Sequence, residues 1–150
     1  RQQLIPSLFP MHTFYWGDWH LNSVLGDPRA SYISPMRDVL DAGLIPTSHH
    51  DAPVTFPNSM RVLDATVNRI TRSGKILGPD QRVSVYEGLK TLTEWAAYQY
   101  FEEKSKGTLT PGKLADFVIL DKNPLKINSL EINKIKIVES IKEGKTVWKR

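Results

Sequence analysis

The feature that most constrains this chain is an order of signals along its first fifty residues. An apolar run, Leu4-Ile5-Pro6-Ser7-Leu8-Phe9-Pro10, leads into an aromatic-rich stretch, then a helix signal, a glycine and a second apolar run, Leu44 to Thr47. Pro6 and Pro10 argue against a helix and against a fully paired central strand for the first run. Met11 to Leu25 carries His12, Phe14, Tyr15, Trp16, Trp19 and His20 around Gly17-Asp18, which suits an irregular lid or pocket wall. Ser34-Pro35 reads as an N-cap with proline at the first helical position, Met36, Val39 and Leu40 give one apolar face, and Gly43 stops the helix. Strand, loop, helix, short turn, strand is the βαβ grammar of a parallel sheet. Such sheets keep their chemistry at the carboxyl ends of the strands.

The polar cluster His49-His50-Asp51, ahead of Ala52-Pro53-Val54, falls at that end of the second strand. If Asp51 ends the strand, alternation puts His49 and Asp51 on one face and sends His50 to the other, toward the surrounding helices. One carboxylate and one imidazole are too few for a closed metal centre. Asp51 reads equally as a metal-binding, proton-exchanging carboxylate or as a cap on the turn at Pro53. His12 lies just past the first strand, on the same rim, where it either contacts substrate or bonds loop backbone. His20 and the Trp16/Trp19 pair carry weaker signals of the same kind, and packing is the commoner use of such tryptophans.

Downstream, Pro57 to Arg72 reads as a helix with Met60, Leu63, Val67 and Ile70 on one side and Arg61, Asp64, Asn68 and Arg69 among its polar positions. Ser84 to Glu87 has capping-box spacing and opens a helix running through Leu89, Leu92, Ala96 and Tyr100 to about Glu103. The character changes near Lys106. Thr108-Leu109 and Ala115 to Leu120 flank a Pro111-Gly112 turn, and Lys134 to Lys142 and Thr146 to Lys149 flank Glu143-Gly144-Lys145, so two hairpins are expected. The division is therefore 1–105 as an α/β region and 106–150 as a small β unit.

Composition narrows the function classes. The chain of 150 residues has no cysteine, which excludes disulfides, thiolate nucleophiles and Cys-ligated zinc. Its net charge of +4 comes from residues 106–150, where ten Lys/Arg face five Asp/Glu. These lysines alternate with Ile and Val in strand-like runs, the pattern of a solvated strand face, so neither a nucleic-acid nor a membrane partner is expected. No apolar run approaches the roughly 20 residues that cross a bilayer, and cytoplasm is the default compartment. Neither a phosphate-binding glycine loop nor a Gly-x-Ser-x-Gly elbow is present. The opening Arg1-Gln2-Gln3, without methionine, reads as the start of a piece of something longer.

Five motifs in order, Phe9-Pro10-Met11-His12, Leu25-Gly26-Asp27-Pro28-Arg29-Ala30, His49 to Val54, Asn68-Arg69 and Gly107 to Leu120, resemble the amidohydrolase superfamily. The last is the most specific, and the likeness is strongest to the branch that contains N-substituted formamide deformylase. The resemblance implies the carboxyl-terminal portion of a (β/α)₈ TIM barrel over 1–105, followed by part of a small β-sandwich domain over 106–150. It implies that Asp51 contacts a divalent metal, zinc by expectation, and shuttles a proton during hydrolysis of a C–N bond in an amide-type substrate. It places His12 and His49 near that substrate. The His-x-His of the first barrel strand and the ligands of the fourth to sixth strands have no counterparts here. The isolated chain is therefore expected to hold no metal tightly and to be inactive, and to self-associate through strand edges a partial barrel leaves unpaired. The alternative is a stand-alone, non-catalytic interaction or regulatory module.

Overall fold

A computed structural model describes residues 4–150, so the expectation attached to Arg1-Gln2-Gln3 lies outside the described residues. Two short strands, β1 (Ser7–Leu8) and β2 (Thr47–Ser48), pair in parallel with Ser7 opposite Thr47 and Leu8 opposite Ser48. Backbone bonds extend the pairing by one residue each way, from Thr47 N to Pro6 O at 2.9 Å and from His49 N to Leu8 O at 3.0 Å. The βαβ order is therefore as expected, with the second strand at the end of its predicted run.

Between the strands, the expected irregular loop is instead a helix, α1 (Met11–Trp19), which widens at its end into a π-turn over His20–Val24. Gly17 and Asp18 suggested a turn, but both serve a close approach. A Cβ at Gly17 would sit 2.8 Å from Thr71 Cγ2 and 3.2 Å from Leu77 Cδ2, and the Asp18 carboxylate accepts hydrogen bonds from Thr71 Oγ1 (2.8 Å) and Ser73 N (3.0 Å). Helix α1 is thus laid flush on the 71–77 segment, and tertiary contact overrides its poor helix propensity.

Helix α2 (Met36–Asp41) follows, but Ser34 is not its cap. Ser34 adopts φ 47° and turns its hydroxyl back to Phe9 O at 2.9 Å. Helix α3 (Ser59–Asn68), capped by Asn58, is shorter than the predicted Pro57 to Arg72 and is enclosed on nearly every side. Met60, Leu63 and Val67 form one core with Ile132 and Ile135, while Val62 and Ala65 form another with Phe9 and Met11. Three of its expected outward polar positions are buried as a consequence: Asp64, Asn68 and Arg69.

Helix α4 (Val85–Leu92) opens with the capping box, Ser84 and Glu87 bonding reciprocally. The single long helix expected here breaks at Thr93 (φ −130°, ψ −91°), and α5 (Glu94–Gln99) continues from it. Beyond Lys106 only one of the two hairpins forms. Strands β3 (Phe117–Leu120), β4 (Ile137–Lys142) and β5 (Lys145–Lys149) make an antiparallel sheet in the order β3-β4-β5. Glu143 and Gly144, at φ 49° and 76°, supply the doubly left-handed turn a two-residue hairpin needs. Thr108-Leu109 pairs with nothing among the described residues, and Ser129–Lys134 coils as a 3₁₀ turn that presents Ile132 to α3. No helix among the described residues is long and apolar enough to cross a membrane.

Candidate functional site

The parallel pairing of β1 and β2 sends both chains out at the same rim. Phe9 leaves β1 and His49 leaves β2, and their rings stack with centroids 5.1 Å apart and planes 14° apart. Pro10 turns the chain straight into α1, so His12 stands one residue inside the helix, its ring 4.6 Å from Phe9. One turn on, Trp16 presents an edge-on ring 5.8 Å from His12, and His20, from the π-turn, lies 5.6 Å from His12 at 75°. The rim therefore carries three half-buried imidazoles over an aromatic floor.

Asp51 reaches this rim by a route other than the one expected. The strand ends at Ser48, and Asp51 is exposed at φ 56°, a left-handed position that aspartate tolerates. Its carbonyl accepts from Val54 N at 2.7 Å to close the turn, while its carboxylate makes no hydrogen bond or ion pair among the described residues. Asp51 thus closes the turn at Pro53 through its backbone and leaves its carboxylate exposed. His12 is held below its ordinary value of 6.5 by burial first, then by His20, with Asp51 pulling the other way and His49 adding to the depression.

His50 makes none of these ring contacts among the described residues, and because the strand ends at Ser48 the strand alternation does not reach it. Its Nε2 is buried without a partner and its proton affinity is lowered by burial and then by His49. The ring nitrogens of His12, His20 and His49 likewise have no hydrogen-bond partner among the described residues, and His20 Nδ1 is buried in that state. Fully buried polar atoms in this condition, as at His20 Nδ1 and His50 Nε2, are uncommon.

His20 is the member that sequence reading underweighted. Its signal was the i, i+4, i+8 spacing of His12, Trp16 and His20, visible only once Met11 to Leu25 is read as helical. The donors present do not make a metal centre alone: among the described residues no group of three or more His, Cys, Asp or Glu could hold an ion. Asp51, exposed and unengaged, fits the part of a single ligand.

A parallel strand pair carries imidazoles beyond its carboxyl ends, and the sequence places the chain in a family. Residues 1–148 match the Amidohydrolase family, and the chain belongs to it. It is 26% identical over 142 residues to N-substituted formamide deformylase of Arthrobacter pascens, covering 94% of this chain and 26% of that protein. In structure it is similar to an uncharacterised metal-dependent hydrolase from Pyrococcus horikoshii (TM-score 0.70, 23% identity, 85% of this chain, 26% of that one). A second likeness is to 5-methylcytosine deaminase from Klebsiella pneumoniae (TM-score 0.62, 22% identity, 96% of this chain, 33% of that one). The chain thus spans about a quarter or less of the length of the curated relatives it matches.

Proposed function

We propose that this chain supplies one corner of the active site of a metal-dependent amidohydrolase that cleaves a C–N bond in an amide or cyclic amide. The observation that carries the reading is the rim itself. An unengaged carboxylate, Asp51, shares the carboxyl end of a parallel strand pair with His12 and His49, none of whose ring nitrogens has a partner among the described residues. When bound, a divalent metal, zinc in this reading, supplies Lewis acidity and an activated water, with its remaining ligands coming from outside these residues. Asp51 takes the proton from the attacking water and returns it to the leaving nitrogen. His12, held neutral near pH 7 by burial and by His20, donates or accepts a hydrogen bond at the substrate, and His49 borders it from β2.

The wider architecture follows the same reading. Residues 1–105 contribute the last βα units of a TIM barrel, which the β1–β2 parallel register supports. Residues 106–150 contribute strands to a β-sandwich, supported by the three-stranded antiparallel sheet, although Ile132 and Ile135 also pack on α3 across that division.

The test expresses the chain with the coding sequence that lies upstream of Arg1 and assays amide hydrolysis with and without chelator. The expected result is metal-dependent turnover, with Asp51→Asn lowering kcat by about 10² or more. An upstream sequence lacking His-x-His, or an Asp51→Asn variant as active as the parent, overturns the reading.

A further inference from the structure

Of the imidazoles at the rim, His20 is the one that neither strand end explains. It caps the carboxyl end of α1 in helical geometry, its N–H bonded to Trp16 O, and the π-turn widens only beyond it. The His20 ring lies 5.6 Å from His12, nearly perpendicular to it. Trp16 stands edge-on 5.8 Å from His12, and Trp19 lies 5.2 Å from His20 with more than half its surface exposed (55%). Two imidazoles thus converge beside two indoles.

The plain alternative is a packing histidine. A packing histidine normally satisfies its ring nitrogens with backbone or side chain, because a buried polar nitrogen without a partner is costly. His20 does the opposite: Nδ1 is buried with no partner, and His12 facing it has none either among the described residues. The remaining aromatic residues of α1 are committed elsewhere. Arg61 lies over Phe14 at 4.5 Å and Arg72 over Tyr15 at 5.0 Å, while Trp16 packs on Phe9 with an edge toward His12 and Trp19 stays exposed beside His20. Paired hydrogen-bonding groups beside a flat apolar wall suit a ligand with one polar planar group and one aromatic ring.

We propose that His20 is a positioning residue of this site, and that His12 and His20 together hold the amide group of an aromatic amide whose ring lies along Trp16 and Trp19. The proposal rests on reading the rim as an amide-hydrolysing site and narrows its substrate class.

The test titrates the 150-residue chain with benzamide and follows the imidazole nitrogens by NMR. Saturable shifts are expected at His12 and His20, with acetamide, which lacks the ring, and toluene, which lacks the amide, each producing much weaker shifts. His20→Phe keeps ring volume and stacking but no nitrogen, and it should weaken benzamide binding by about tenfold or more. His20→Asn or His20→Gln, which place a hydrogen-bonding nitrogen near Nδ1 or Nε2, should recover most of that loss in at least one case. Lys149→Gln, on β5 of the three-stranded sheet, should bind as the parent does. If His20→Phe does not fold, His20→Leu reads the same loss. Unchanged benzamide affinity in the folded nitrogen-free variant, toluene shifts equal to those of benzamide, or no saturable shift at all overturns the proposal. Benzamide binding needs neither metal nor Asp51, so its failure is distinguishable from failure of the hydrolytic reading.

Discussion

Arg69 shows most clearly how one residue ties distant segments together. It follows α3 in a left-handed conformation, is almost fully buried (1% exposed), and donates to four carbonyls: Leu77 O at 2.8 Å, Ser34 O at 2.9 Å, Ile33 O at 2.8 Å and Ser31 O at 3.2 Å. Burial, with Arg82 nearby, pushes its pKa down to about 10, so the guanidinium still carries its charge at neutral pH. Replacing Arg69 by Met would strand those carbonyls, each at about 1–3 kcal/mol, so a loss above about 3 kcal/mol in urea unfolding is expected; a loss under about 1 kcal/mol would contradict this account. The rim histidines give a prediction in pH. His12 and His50 both have folded-state pKa values below 6.5, so below that pH the unfolded chain binds more protons than the folded one. Stability is therefore full above 6.5 and falls as the pH drops toward the folded values. The urea midpoint should decline across that window and decline less in His12→Gln/His50→Gln; identical slopes in parent and double variant would refute it. The sequence marked His12, His49 and Asp51 because they lie near strand ends, whereas the burial of Arg69 depends on loops 35 to 38 residues away.

At the scale of elements, local signals succeeded where the element's own residues decide its state. The Ser84–Glu87 capping box and the Glu143-Gly144 hairpin turn are both self-contained, and both form. α1 failed as a sequence reading because its aromatic residues, Gly17 and Asp18 argue against a helix locally, while the fit to the 71–77 segment argues for one. Gly17→Ala tests that balance. The substitution gains about 1 kcal/mol of helix propensity. It also drives a methyl group to 2.8 Å from Thr71 Cγ2, and Thr71 cannot swing aside because its hydroxyl is bound to Asp18. The expected outcome is net destabilisation by about 1–3 kcal/mol, with His12 and His20 resonances shifted as α1 is displaced. A stabilised variant would show that α1 is not held by this contact. The break between α4 and α5 at Thr93 has a related tertiary counterpart: α5's Gln99 accepts a hydrogen bond from Thr47 Oγ1 of β2 at 3.0 Å.

For the whole molecule, the surface is as informative as the core. A groove of about 870 Å³ runs between α4–α5 and the β3–β4 sheet, lined by Leu92, Ala96, Tyr100, Leu109, Phe117 and Ile141. Tyr100, Phe101 and Leu109 stand 72%, 82% and 81% exposed. Apolar exposure of this kind, with the two-stranded β1–β2 sheet, favours association over solvation. The isolated chain should therefore self-associate with rising concentration in light scattering, and a clean monomer at high concentration would count against it. By itself the sequence determined the βαβ order, the apolar face of α3, the cap of α4 and the terminal hairpin, since each follows from periodicity or turn chemistry within a few residues. Only the tertiary structure decided that α1 is helical, that His20 joins His12 at the rim, and that Asp64, Asn68 and Arg69 are interior. Those outcomes depend on partners far along the chain, such as Asn133 donating to Asp64 across 69 residues, and no local pattern encodes a contact of that separation.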